Sequence, residues 1–230
     1  MSIAENIARV RAEMEAAARE AGRDPKEILL VGASKMNGAQ ACREAIAAGI
    51  DALGENRVQE MTQKLSEHAY EGAPLHFIGH LQRNKVRQVV GFVDLIQSVG
   101  SLSLLDEIEK VAAAKGLVQD ILLEVNVGQE EAKSGFAPAE VLAAAEAALG
   151  RSHVRVKGLM TIPPADADRD TNIRYFDQVR TLYVDINEKL FHNKLECISM
   201  GMSGDFADAI CAGATMVRVG TAIFGTRYYT

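Results

Sequence analysis

The sequence predicts an α/β chain folded as a single-domain (β/α)8 TIM barrel over residues 1–230, with an additional N-terminal helix. Three observations carry that expectation. Short apolar runs alternate with helical patterns along the whole chain, which is how a parallel sheet reads in sequence. Eight such units within roughly 200 residues suit a closed barrel. The competing open, doubly wound sheet lacks its fingerprint, because no G-x-G-x-x-G follows the first apolar run.

The first segment, "SIAENIARVRAEMEAAAREAG", opens with a capping box formed by Ser2 and Glu5 and sets Ile3, Ile7, Val10 and Met14 on one helical stripe ending near Gly22. The eight strand candidates follow: "ILLVGAS" from Ile28, "IDALGE" from Ile50, "LHFIG" from Leu75, "FVDLIQS" from Phe92, "DILLEVNV" from Asp120, "VRVKGLM" from Val154, "ECISM" from Glu196 and "TMVRVG" from Thr215. The clearest helices between them are "LSLLDEIEKVAAAKG" after a Ser101 cap, "PAEVLAAAEAALG" with Pro138 in its first turn, and "TNIRYFDQVRTLYVDINEKL". Only ten residues follow the last strand, so its helix should be short or missing and the helix at residues 2–21 should cover the gap. No linker, repeat or low-complexity stretch marks a second domain.

Composition narrows the partners. A formal charge of -6, with acidic residues spread along the chain and no basic block interleaved with aromatics, argues against nucleic acid. No apolar stretch approaches the ~20 residues of a membrane span, and the first segment is too acidic for a signal or transit peptide. A cytoplasmic protein is expected, and a monomer, since no helix face gives a clear dimer seam. Cys42, Cys197 and Cys211 are odd in number and widely spaced, which predicts buried core thiols rather than a disulfide or zinc framework.

In a barrel, chemistry gathers where strands end. Those ends supply Lys35, Glu55 with Asn56, His80, Ser98, Asn126, Met160 with Thr161, Ser199 with Ser203, and Arg218 with Gly220. Lys35 closes an apolar run. Partial burial there would favour a neutral amine able to attack a carbonyl and form a Schiff base, although a lysine emerging into solvent has the same sequence signature. Lys133 and Lys157 are its rivals. Gly201 and Gly204 would let the chain turn tightly around Ser203, before a helix starting near Asp205, and Gly220 with Thr221 would complete a ring of donors for phosphate. The plainer reading makes Ser203 a helix N-cap. It is no esterase elbow, since Asp205 stands where G-x-S-x-G needs glycine.

Arg218 lies on the strand face opposite Val217 and Val219, so it points into the barrel or towards the outer helices. A carboxylate or a ligand acceptor is expected to meet it, because a buried guanidinium is costly alone. His76 and His80 would share a strand face, but no third ligand accompanies them and no metal site is expected. His80 reads as a capping or supporting group, and Asn56 as a helix cap or a ligand contact.

The motifs "GENRVQE" from Gly54, "HFIGHLQRNK" from His76, "EEAKSGF" from Glu130, "GLMTI" from Gly158, "SMGMSGDFADAI" from Ser199 and "VRVGTAIFG" from Val217 span nearly the whole chain. Together they resemble the pyridoxal 5′-phosphate homeostasis proteins (YggS-like), which have the fold of the alanine racemase barrel domain. The resemblance implies pyridoxal 5′-phosphate held on Lys35 as an internal aldimine, its phosphate gripped by Ser203, Gly220 and Thr221, with Arg218 facing the pyridine nitrogen and Asn56 near the ring. It implies a carrier that buffers the cofactor in vitamin B6 and amino-acid balance and delivers it to pyridoxal phosphate-dependent apo-enzymes, with no catalytic residues of its own. A departure stands beside the lysine: Met36, Asn37 and Gly38 replace the family's usual threonine, basic residue and proline. That predicts a more mobile loop and an altered cofactor affinity and release rate.

Binding without turnover also has a chemical rationale. Arginine donates to a pyridine nitrogen without giving up its proton, which weakens the ring as an electron sink. Barrel racemases add a second domain with an opposing base, which this sequence is expected to lack. A pyridoxal phosphate-dependent amino-acid racemase is the alternative. A class I aldolase acting on a sugar phosphate through a Schiff-base lysine is a third.

Overall fold

The computed structural model describes residues 1–130 and 133–225. Glu131 and Ala132 of the "EEAKSGF" motif, and the tail with Tyr228 and Tyr229, lie outside these described residues. Eight parallel strands close in sequence order into a barrel: β1 (Leu29–Ala33), β2 (Ala52–Glu55), β3 (Leu75–Phe77), β4 (Leu95–Val99), β5 (Gln119–Val125), β6 (Val154–Thr161), β7 (Cys197–Ser199) and β8 (Met216–Val219). Closure rests on β8 pairing with β1, where Val31 lies beside Arg218 and Gly32 beside Val219. All eight predicted strands are present.

The outer layer holds α1 (Ile3–Glu20), α2 (Ala39–Ala47), α3 (Val58–Ser66), α4 (Leu102–Lys115), α5 (Val141–Leu149), α6 (Arg169–Lys189), α7 (Phe206–Cys211) and α8 (Thr221–Phe224). The first of these starts as its sequence dictates. Ser2 Oγ accepts the Glu5 N–H at 3.2 Å, and Glu5 returns the bond to the Ser2 N–H at 2.7 Å. Ile7, Val10 and Met14 are buried on one stripe, each such side chain contributing about 1.5–3 kcal/mol. Since α8 has only four residues, α1 fills the missing sector: it packs on α7 and α8, and Asn6 donates to the Ile223 carbonyl at 2.8 Å.

Two cores result from the period-2 alternation of the strands. Leu30, Leu53, Leu75, Phe77, Ile96, Ile198 and Val217 face outward into the large layer shared with the helices. Val31, Ala52, Leu95, Leu122, Met160, Cys197 and Met216 face inward and plug the barrel. Above that plug the inward phase becomes polar, with His76, Gln97, Glu124, Ser199 and Arg218 all buried.

Some details differ from expectation. The turn at Pro138–Glu140 is a 3-10 turn that leads into α5, and α6 begins before Thr171, capped by Asp168 Oδ1 accepting the Thr171 N–H at 2.8 Å. Phe92 is exposed outside β4, with the Lys115 ammonium 4.5 Å from its ring centre. Cys42 and Cys197 are buried, but Cys211 is exposed, because the last residue of the short α7 falls on its solvent side.

Candidate functional site

The predicted site residues lie on four contiguous strands and their loops. Ser203 follows β7, Arg218, Gly220 and Thr221 belong to β8 and its loop, Lys35 follows β1, and Asn56 follows β2. Register ties them together, for β1 carries Val31 beside Arg218 on one side and Ala33 beside Gly54 on the other.

Lys35 is half-buried in a turn past the end of β1. Its neighbours are clamped from below. The Lys64 ammonium, from the buried stripe of α3, donates to the Ser34 carbonyl at 2.9 Å and reaches Glu55 Oε1 at 2.6 Å. Ser34 Oγ donates to the same Glu55 oxygen at 2.6 Å, and the Tyr70 hydroxyl does so at 3.0 Å. Glu60 pairs with Lys64 at 2.9 Å and accepts the N–H of Met36. Burial works against the Lys64 charge, but Glu55 and Glu60 outweigh it and hold its pKa above the ordinary value. Met36 takes a left-handed conformation, φ 63°, which costs a residue with a β-carbon roughly 1–2 kcal/mol and which the bond to Glu60 helps to offset. Asn37 donates from its side chain to the Lys35 carbonyl at 3.0 Å. Hydrogen bonds therefore hold the backbone on both sides of Lys35, through Ser34 before it and through Met36 and Asn37 after it.

Arg218 points into the barrel and is 3% exposed. Among the described residues no carboxylate hydrogen-bonds to it: it donates to Ser199 Oγ at 2.5 Å and to the Thr161 carbonyl at 2.8 Å, because the ends of β6 and β7 bring neutral oxygens within its reach. Burial pushes its pKa down to about 10, and the charges of Asp205 and Glu124 pull it back up. It remains a cation at neutral pH.

Ser203 does not cap its own helix. Asp205 takes that position and accepts the Met202 N–H at 2.6 Å. Ser203 Oγ instead accepts the N–H of Gly220 at 3.2 Å and of Ala222 at 3.4 Å, drawing the loop after β8 onto the loop after β7. Gly201 is required for that turn: its φ is 91°, and a Cβ would stand 2.6 Å from the Ala209 Cβ and 2.9 Å from the Phe206 Cα. Gly204, predicted to share the role, has no left-handed φ, and open space surrounds the place of its absent Cβ. Thr221 is exposed at the start of α8.

Asn56 lines a cleft of about 580 Å³ with Ile78, Gly79, His80, Glu124 and Lys133, and its buried Oδ1 accepts no hydrogen bond. Of the predicted binding residues only Asn56 lines this cleft; the others stand on the β7, β8 and β1 side. Glu124 is buried there, raised above the usual carboxylate range by burial, with Ser134 donating to it at 2.9 Å.

The histidine pair separates. β3 ends at Phe77, so His76 is buried in the barrel while His80 sits exposed at the mouth. No group of three metal-ligating side chains occurs among the described residues. Lys133 lines the cleft and pairs with Glu130 at 2.5 Å, whereas Lys157 pairs with Glu196 near the opposite ends of the strands. Sequence reading passed over Lys64, Tyr70, Gln97 and Glu124. Two patterns identify three of them, a lysine three residues after Met61 on the apolar stripe of α3 and polar residues in phase with Leu95 and Leu122 on the inward strand face, while Tyr70, past the end of α3, carries no such signal.

These residues fit a phosphorylated pyridine aldehyde: a lysine at the mouth, an inward cation on the adjoining strand, two backbone N–H groups gathered at a hydroxyl, and an unpaired buried amide oxygen.

Comparison with known proteins assigns the family. The alanine racemase N-terminal domain family matches residues 3–228. The pyridoxal phosphate homeostasis protein of Aquifex aeolicus is 41% identical over 229 residues, covering 100% of both chains. The structure of PipY from Synechococcus elongatus PCC7942 with PLP bound superposes with a TM-score of 0.85 at 33% identity, covering 97% of this chain and 100% of PipY. Alanine racemase of Clostridium difficile 630 shares the fold, with a TM-score of 0.73 at 15% identity over 99% of this chain and 57% of its own. The chain belongs to the alanine racemase N-terminal domain family and, within it, to the pyridoxal phosphate homeostasis proteins.

Proposed function

We propose that this protein binds pyridoxal 5′-phosphate covalently through Lys35 and carries or buffers it for vitamin B6 and amino-acid homeostasis, without turnover. The observation that carries the reading is the Ser203 hydroxyl gathering the Gly220 and Ala222 N–H groups one strand away from Arg218 and two from Lys35. PipY, alike over nearly its whole length, supports it by having been solved with PLP bound.

When bound, the cofactor supplies an aldehyde that an amine can hold, together with an electron-withdrawing ring. The protein's residues do the rest. Lys35 provides the amine, on a backbone fixed by Lys64 and Glu60. Ser203, Gly220 and Thr221 hold the phosphate: the N–H groups now satisfied by Ser203 Oγ can turn to phosphate oxygens, and the hydroxyl can then donate. Asn56 offers its unpaired oxygen to a ring hydroxyl. Arg218 donates to the ring nitrogen and, as a cation at neutral pH, does not transfer its proton. A ring left unprotonated is a poor sink for electrons, which favours storage over catalysis.

Residues 1–230 then act as one pyridoxal phosphate-binding domain, monomeric and cytoplasmic, whose recipients are pyridoxal phosphate-dependent apo-enzymes. No helix among the described residues is long and apolar enough to cross a membrane. The test is spectroscopic. Protein incubated with pyridoxal 5′-phosphate and desalted should carry a visible absorption band, Lys35→Ala should lack it, and no amino acid should exchange its α-proton in deuterated water. A band that survives in Lys35→Ala contradicts the assignment, and α-proton exchange favours the racemase.

A further inference from the structure

Four inward side chains form one hydrogen-bonded chain across the barrel. Arg218 Nη1 lies 2.5 Å from Ser199 Oγ, Ser199 Oγ 2.6 Å from Gln97 Oε1, and Gln97 Nε2 2.9 Å from His76 Nδ1. It runs from β8 through β7 and β4 to β3, and every member is buried: Arg218 is 3% exposed, Ser199 and Gln97 0%, and His76 6%. Gln97 Nε2 also reaches Met216 Sδ at 3.1 Å.

The Gln97 amide, with Oε1 towards Ser199 and Nε2 towards His76, gives the chain its direction. A guanidinium has only donors, so Ser199 Oγ accepts from Arg218. The one hydroxyl proton of Ser199 then goes to Gln97 Oε1. That leaves the Gln97 NH2 group facing Met216 Sδ, a weak acceptor, and His76 Nδ1. For His76 to accept, its ring must be neutral and carry its proton on Nε2. Burial agrees, pushing the His76 pKa down to about 4 against the opposing charge of Asp94.

We propose that Ser199, Gln97 and His76 are positioning residues that lock the Arg218 guanidinium in one orientation, as a fixed donor at the barrel mouth, and thereby select ligands with an unsubstituted, acceptor ring nitrogen. The identity of the ligand rests on the reading above; the direction of the chain does not. An arginine held from behind on two neutral oxygens, Ser199 Oγ and the Thr161 carbonyl, cannot swing aside without leaving them buried and unpaired. A ring nitrogen bearing a methyl group would present the guanidinium with a cation and no lone pair.

The experiment has two arms. In ligand-free protein, ¹⁵N-histidine NMR at pH 7 should show His76 as the Nε2–H tautomer; an Nδ1–H tautomer would mean the chain runs the other way and would overturn the proposal. In the second arm, affinities for pyridoxal 5′-phosphate and its N-methyl analogue are measured for wild type, Ser199→Ala and Ser199→Thr. Wild type should bind the N-methyl analogue at least about tenfold more weakly, as the loss of a hydrogen bond to a charged donor implies. Ser199→Ala should lose most of that discrimination, and Ser199→Thr, which keeps the hydroxyl, should restore it. Equal affinity of wild type for the two rings, or undiminished discrimination in Ser199→Ala, overturns the proposal. Failure of wild type to bind either ring refutes the cofactor reading, while the NMR arm separately decides the direction of the chain.

Discussion

The Lys64 ammonium lies 2.9 Å from the carbonyl oxygen of Ser34, so a buried cation on α3 holds the backbone immediately before Lys35. It is 5% exposed at the side chain, and its partner Glu55 is 0%. Removing one partner of a buried pair leaves the other charge uncompensated, at a cost of about 3–5 kcal/mol. Lys64→Met should therefore lower the unfolding free energy by about that amount in urea titrations, and the surviving folded protein should react with pyridoxal 5′-phosphate more slowly than wild type.

Ser203→Ala should separate binding from stability. The loop that carries Ser203 is only partly buried, so water can replace the lost acceptor and stability should fall by about 1 kcal/mol or less. Affinity for pyridoxal 5′-phosphate should fall about tenfold, the scale of one charge-assisted hydrogen bond. Affinity for pyridoxal, which lacks the phosphate, should stay unchanged. Calorimetric titration with both ligands measures the contrast.

The outward-then-inward alternation that makes this site was largely legible in the sequence. Val217 and Val219 on one face of a strand set Arg218 on the other, and the structure turns it inward. Lys35 was legible only as a candidate, because a lysine that closes an apolar run and simply emerges into solvent has the same sequence signature. What holds these residues was harder to read. Lys64 belongs to a helix whose pattern is ordinary and whose partner Glu55 is nine residues away, and only the fold brings both under Ser34. Arg218 looked as though it needed a carboxylate or a ligand acceptor, because sequence cannot show that a serine and a carbonyl from two other strands are within reach. Gly204 looked like a turn glycine, yet the neighbouring Gly201 alone takes the left-handed φ.

His76 makes stability depend on pH. Its folded pKa is about 4, because burial disfavours the imidazolium, against about 6.5 in the unfolded chain. Between these values the unfolded state binds a proton that the folded state does not, so stability falls as pH drops from 6.5 towards 4, by about 3 kcal/mol in all from this residue. In His76→Gln the loss should shrink by a comparable amount. Urea titrations at pH 7 and pH 4.5 on both proteins measure the difference.

Gly79 has no Cβ because the chain after β2 passes directly over it. An added methyl would stand 2.2 Å from the Asn56 carbonyl oxygen and 2.6 Å from its Cα. Backbone rather than a flexible side chain must yield, so Gly79→Ala should cost about 3 kcal/mol in stability. Because the yielding backbone is that of Asn56, the same variant should weaken cofactor binding at temperatures where it remains folded. Thermal melts followed by absorbance titration test both effects.

Borohydride reduction followed by peptide mass analysis tests the attachment at Lys35 most directly. Reducing protein that has been incubated with pyridoxal 5′-phosphate should place one phosphopyridoxyl group on the peptide containing Lys35, in near-stoichiometric yield. Recovery of that peptide unmodified, with the label on Lys133 or Lys157 instead, would contradict it.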